Sequence, residues 1–395
     1  MNNLSAAGEN TFSVDEKLQW TQEEAVQSYL LYTTRGIGAV SIRRLIEATG
    51  SASAVSRLSQ DRLTELIGEK RTEALQKGKE AKRQSCAVKR FHQLQEKGIF
   101  FLPYWMEGFP KRLAEIPDPP VELFGMGRMP DFSQKTAAVI GARECSGYGR
   151  QTAAIFAAGL ASAGVTIVSG MARGVDGIAQ RAALDAGGSC VAVLGCGVDI
   201  CYPPENRILY ERLKKEGCLL SEYPPGTQPQ ARFFPERNRI ISGLSDLVLV
   251  TEAREKSGTL ITVDMALEQG RDVYAVPGRI TDSCSVGCNR LIANGAGMAV
   301  SVSQLLQDLN MKKSVRMIQK NRNFHASDGR PLSNKIMEVL DCNPMSLDEI
   351  AGLLSQKGEQ ITVQEVMEEL ILLCMEEKAG CHGGMYFSAG SACIS

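Results

Sequence analysis

The sequence predicts an α/β fold built on a parallel sheet with helices on both faces, and three observations predict it. Apolar, β-rich runs recur between residues 137 and 278: AAVIG, VTIVSG, CVAVLG, CLLSEY, LVLVTE and DVYAVPG. Stretches of helical length separate most of them. The runs are continuously apolar rather than alternating, the pattern of strands covered on both faces. Right-handed crossovers then bring the strand C-termini to one edge of the sheet, where ligands of such folds bind.

The remaining elements are read around that core. With 395 residues, 44% of them hydrophobic, the chain can hold two or three domains and bury a sizeable core. Residues 1–20 are polar, lack the apolar stretch of a secretory signal and are expected to form a flexible tail. Residues 21–97 read as a helical domain. In QEEAVQSYLLYTT apolar residues recur at helical spacing, and RGIGAVSIRRLIEATG is a glycine turn leading into an amphipathic helix. That turn, with Arg43 and Arg44 after it, can offer amides and cations to a phosphate, or it can simply turn the chain. Residues 98–310 form the α/β domain, entered through strand-like pieces (IFFLPYW, VELFGMG) around the proline-rich IPDPPVE. Residues 311–330 are a basic, polar linker, and 331–395 a winged-helix-like domain of three helices and a short hairpin.

Composition narrows the function. The net charge is −1, so a polyanion must be held by a local patch. No uncharged apolar run reaches about 18 residues, so no membrane span is expected and the cytoplasm is the expected compartment. The 12 cysteines are scattered without a CxxC pair, and Cys284 and Cys288 have no further ligand nearby. Reduced thiols and no metal site are expected. His92, His325 and His382 lie outside the α/β core, and no GxSxG elbow or Walker loop occurs. No catalytic residue is therefore assigned and no cofactor is expected.

The chemistry gathers at the strand ends. The first turn, VIGARECSGYGRQTAA, carries Gly141, Arg143, Ser146, Gly147 and Gly149 at a helix start, where free amides and a partial positive charge favour an anion by about 0.3–1 kcal/mol. The second, VSGMARGVDGIA, carries Ser169, Gly170, Arg173 and Gly174. The third, VLGCGVDICYPPEN, carries Gly195 and Gly197. A fourth, TEAREKSGTLITVDMA, sets Lys256, Ser257, Gly258 and Thr259 between a strand and a helix. One glycine turn alone is most often structural; several with cations along one edge make an extended anion site the better reading. In QARFFPERNRIISGLSD, Phe233 and Phe234 stand beside Arg237 and Arg239. Rings beside guanidiniums suit single-stranded nucleic acid, although one Phe can equally be core and either Arg a structural ion pair.

Taken together, these motifs closely resemble the DprA/Smf family of DNA-processing proteins, from about Tyr104 to Val302. The resemblance rests on PYWMEGFPKRLAEIPDPPVELFGMG, AVIGARECSGYG, IVSGMARGVDGIAQ, AVLGCGVDICYPPEN, LLSEYPPGT, FPERNRIISGLS, EAREKSGTLIT, QGRDVYAVPG and GCNRLIANGA. It implies an extended Rossmann-like core that binds single-stranded DNA without chemistry of its own. It also implies an N-terminal helix–hairpin–helix or SAM-like domain, a C-terminal winged-helix-like domain, and a homodimer that assists RecA loading in natural transformation and recombination. A single-strand-binding protein is a further partner to consider. The DNA or phosphate contacts it implies are Gly141, Arg143, Ser146, Gly149, Ser169, Gly170, Arg173, Gly174, Phe234, Arg237, Arg239, Lys256, Ser257 and Gly258. Ala142 stands where the family commonly has Ser, which removes one hydroxyl contact. The alternative is a nucleotide-binding or LOG-like phosphoribohydrolase-type enzyme. In REKSGTLITVD, however, Leu260, Ile261 and Thr262 stand where that class wants its carboxylate. From Pro331 onward there are three Lys, no Arg and ten acidic residues, which suits protein docking better than DNA.

Overall fold

A computed structural model of the chain describes residues 22–78, 81–311, 331–340, 345–356, 361–375, 378–382 and 385–388. The expected tail 1–20 and nearly all of the linker 311–330 lie outside the described residues.

Nine strands make the central sheet: β1 (Ile99–Pro103), β2 (Glu122–Gly127), β3 (Thr136–Ile140), β4 (Thr166–Ser169), β5 (Cys190–Val193), β6 (Cys218–Ser221), β7 (Leu247–Val250), β8 (Asp272–Ala275) and β9 (Gly297–Met298). Their order is β1-β2-β6-β5-β4-β3-β7-β8-β9. The six apolar runs became β3 to β8, all mutually parallel. The sheet as a whole is mixed rather than parallel, because β1 pairs antiparallel with β2 and β2 antiparallel with β6. Between β1 and β2 the chain forms only the four-residue helix Lys111–Ala114, too short to cross the sheet and return it in the parallel sense.

Both faces of the parallel strands are buried, as their continuous apolarity requires. Ala137 and Val139 of β3 and Leu247 and Leu249 of β7 pack on one side, with the helices Gly147–Ser162, Val175–Asp185 and Arg207–Glu216. Ala138 and Ile140, and Val248 and Val250, pack on the other, with the helices Phe233–Gly243, Gly258–Glu268 and Val286–Ala293. Successive strand side chains point to opposite faces, so one run feeds two cores. From β3 the chain builds outward through β4, β5 and β6, then returns to place β7 on the other side of β3. The loops after β3, β4 and β7 therefore diverge and leave a crevice at their C-terminal ends.

The N-terminal helices, Gln22–Thr33 through Ala81–Glu96, dock on the β1/β2 edge. Tyr29 meets Phe101 edge-on at 5.4 Å, and Phe124 beneath them is fully buried. Arg43, read as an auxiliary DNA contact, is instead engaged here: its guanidinium bonds Asp118 at 3.1 Å and also the Pro119 carbonyl. Arg44 is exposed. Toward the C-terminus, the helices Pro331–Val339, Leu347–Gln356 and Val363–Met375 share a core of Ile336, Ile350, Leu354, Val366, Leu370 and Leu373. Three short strands accompany them, paired antiparallel.

Candidate functional site

An open cleft of about 810 Å³ lies over the C-terminal ends of β3, β4 and β7. Arg143 reaches it from the loop after β3, Arg173 from the loop after β4, and Arg254 and Lys256 from the loop after β7. Arg237 contributes to the wall from the helix Phe233–Gly243. Against these five cations the lining holds two acids, Glu144 and Asp176. Arg143, Arg173, Arg254 and Lys256 are exposed. Among the described residues Arg173 has only Glu205 in ion-pair reach, at 3.8 Å with both side chains more than 60% exposed, a geometry that holds a cation weakly. No described carboxylate lies in ion-pair reach of Arg143, Arg254 or Lys256. The Cys284 thiol beside Arg254 pushes the guanidinium's pKa up.

The backbone amides are used differently in the first and fourth turns. At the start of the helix Gly147–Ser162, the Ser146 amide and hydroxyl donate to the carboxylate of Glu252, at 3.1 and 2.7 Å, and that hydroxyl accepts from the Gly149 amide at 3.1 Å. Glu252 is 1% exposed. A side chain of the protein thus occupies the anion seat that a helix N-terminus creates. Gly149 is needed there because a Cβ would fall 1.9 Å from the Glu252 Oε2. Ser146 and Gly149, expected at a phosphate, serve this internal anion. The start of Gly258–Glu268, by contrast, opens on the cleft with Lys256, Ser257, Gly258 and Thr259. The Ser257 hydroxyl caps it, accepting from the Thr259 amide at 3.2 Å. The Thr259 hydroxyl donates to the Gly141 carbonyl at 3.1 Å and ties the fourth turn to the first.

Most of the second turn is also spent internally. Arg237 is 4% exposed and donates to the carbonyls of Gly170, at 2.8 Å, and Val193. Asp176 is buried beside it and accepts from the Gly170 amide at 3.1 Å. Burial pulls the Arg237 guanidinium down to about 10 and pushes the Asp176 carboxyl up, while each opposes the other's shift. Gly170 leaves room for the guanidinium, since a Cβ would fall 2.6 Å from its Nη2. Gly174 has φ +73°, a left-handed conformation that favours glycine. The Ser169 hydroxyl is fully buried and donates to the Val139 carbonyl at 2.7 Å. Arg239 is taken by Glu222 at 2.6 Å and Asp118 at 3.2 Å, and does not line the cleft. Of the fourteen residues anticipated from sequence, the structure brings Gly141, Arg143, Arg173, Phe234, Arg237, Lys256, Ser257 and Gly258 to one cleft.

Phe233 is buried against Tyr223, with ring centroids 4.1 Å apart, whereas Phe234 is half-buried and lines the cleft. The Arg143 guanidinium lies 5.7 Å from the Phe234 centroid, and the Tyr202 ring lies 5.4 Å from it. Sequence reading missed Tyr202, Arg254 and Asn238 as cleft residues, and named Thr259 in the fourth turn without counting it among the contacts. Tyr202 sits in the third turn, GCGVDICYPPEN, where only the glycines drew attention. Arg254 stands two residues before Lys256 in a segment already singled out. Among the described residues no group of three or more His, Cys, Asp or Glu is placed to hold a metal ion, and no helix is long and apolar enough to cross a membrane.

The model of one protein family, DNA recombination-mediator protein A, matches residues 100–310. The DNA processing protein DprA of Streptococcus pneumoniae is 44% identical over 200 residues, covering 51% of this chain and 71% of the relative. Protein Smf of Escherichia coli is 36% identical over 277 residues, 70% of each chain. The X-ray structure of DNA processing protein A from Streptococcus pneumoniae superposes with a TM-score of 0.61 at 33% identity, covering 72% of this chain and 97% of that one.

Proposed function

This chain belongs to the DNA recombination-mediator protein A family, and on that premise we propose that it holds single-stranded DNA in the strand-end cleft. The observation that carries the reading is the convergence of Arg143, Arg173, Arg254 and Lys256, from three loops, on one open cleft that also carries an aromatic wall. Cations spread along a groove track a backbone, while rings take the bases, which only a single strand can turn outward. The phosphate part of the affinity comes from released counterions and is lost as salt rises. Ser257 and Gly258 contribute at the helix start beside Lys256, Gly141 contributes from the first turn, and Arg237 holds the wall from within.

The protein acts in this reading by binding alone. Asp176, a buried acid at the cleft, accepts from the Gly170 amide. The alternative, a nucleotide-binding or phosphoribohydrolase-type enzyme, finds Leu260, Ile261 and Thr262 where it wants a carboxylate, and one helix start fewer for a phosphate, because Glu252 fills the first. The family likeness further suggests a cytoplasmic homodimer that protects incoming DNA and hands it to RecA, with a single-strand-binding protein as another partner.

Fluorescence anisotropy with a labelled oligonucleotide and its duplex tests the reading. The single strand binds more tightly, and Arg143→Ala weakens it while flattening the plot of log K against log salt by about 0.7 per lost phosphate contact. Equal affinity for duplex and single strand, or an unaffected Arg143→Ala protein, removes it. Release of base from nucleoside monophosphates would favour the hydrolase instead.

A further inference from the structure

We infer that Tyr202, rather than Phe234, is the surface on which an unpaired base stacks, and that Phe234 and Arg143 lie behind it as its support. The inference rests on the single-strand reading above and assigns a subsite within that cleft.

Phe234 is the ring that the sequence points to, but its ring is already in contact on several sides. The Arg143 guanidinium lies 5.7 Å from its centroid. The Gly195 backbone lies against its edge, so closely that a Cβ at 195 would fall 2.9 Å from the Phe234 Cδ1. Tyr202 lies with its centroid 5.4 Å away and its plane tilted by 31°. That separation is within the range of direct ring–ring contact, about 4.5–7 Å, so no base fits between the two. Tyr202 itself is 41% exposed and lines the cleft. The free ring area is therefore on Tyr202. Cation, inner ring and outer ring already lie against one another, so the outer ring is backed on the side away from the open cleft's solvent-facing area. The phenol hydroxyl is not needed for stacking; only the ring is.

The test uses the full chain and two probes of equal length: oligothymidylate, and an oligonucleotide whose sugars carry no bases. Tyr202→Ala is expected to weaken oligothymidylate binding roughly 5- to 100-fold, the range of one lost base–ring stack, and to leave the baseless strand and the salt slope unchanged. Tyr202→Phe keeps wild-type affinity for both. Wild-type affinity of Tyr202→Ala for oligothymidylate overturns the assignment, as does an equal loss on both probes, which would mean a disturbed cleft. If the wild-type protein binds neither probe, the single-strand reading itself has failed, and this subsite with it.

Discussion

At the N-terminal ends of the central strands, Arg112 and Lys135 both close on Asp246, at 2.8 and 3.2 Å. The same carboxylate accepts from the Thr136 amide at 2.9 Å, locking the start of β3 to the start of β7. At the C-terminal ends of those two strands, Arg143, Arg254 and Lys256 face an open cleft with no described carboxylate in ion-pair reach. One sheet thus carries cations at both ends of its strands, and at the N-terminal end two of them share a carboxylate. A paired cation contributes to the fold and projects little field. Unpaired cations in a concave site repel one another, and a polyanion relieves that repulsion. Charge at a strand end therefore marks a binding site only where the fold has left it uncompensated.

Arg237 is the sharpest challenge to that division, because it lines the cleft and yet is buried and bonded to the Gly170 and Val193 carbonyls. Arg237→Met strips the buried Gly170 and Val193 carbonyls of their charged donor and is expected to lower the unfolding free energy by about 3–5 kcal/mol, read from urea denaturation. A variant as stable as wild type would move Arg237 to the binding side of the comparison. At the opposite edge, Asp246→Ala is expected to cost about 2–3 kcal/mol, because it strips two cations and a strand-end amide of their partner. Its affinity for single-stranded DNA stays at the wild-type value in an anisotropy titration. Lys256→Ala should do the reverse: melting is unchanged, while affinity falls several-fold and the salt slope flattens by about 0.7. A shifted melting temperature in that variant would blur the line between the two edges.

The smallest effect is in pH. Burial pushes the Asp246 carboxyl up, but the Thr136 amide and the charges of Arg112 and Lys135 outweigh it and hold the group below the usual carboxylate range. A lowered folded-state value means that the contribution is fully present above the unfolded value, about 3.9, and is lost as pH falls through the folded one. The stability gap between wild type and Asp246→Asn is thus constant near neutrality and closes in acid. A gap that persists in acid would mean that the carboxylate's charge is not what locks this edge. Removing residues 331–395, which hold ten acidic residues against three Lys, should change single-strand affinity no more than a few-fold in the same titration.

The sequence determined β3 to β8 and the helices between them, because a strand buried on both faces must be apolar at every position and a helix needs its own local length. It also placed Arg143, Arg173 and Lys256 at one edge, because strands joined by helical crossovers run parallel and end on the same side. It did not set apart the antiparallel β1 and β2, whose partners are chosen by the whole sheet. Nor could it sort free cations from spent ones. Asp246 lies 134 residues from Arg112, Glu252 lies 106 from Ser146, and Asp118 lies 121 from Arg239. Ser146 and Arg239 thus read as ligand contacts until the chain folded and brought their carboxylates to them. Ionic compensation acts over a few ångströms of space, and local sequence carries no record of which distant segment will fill them.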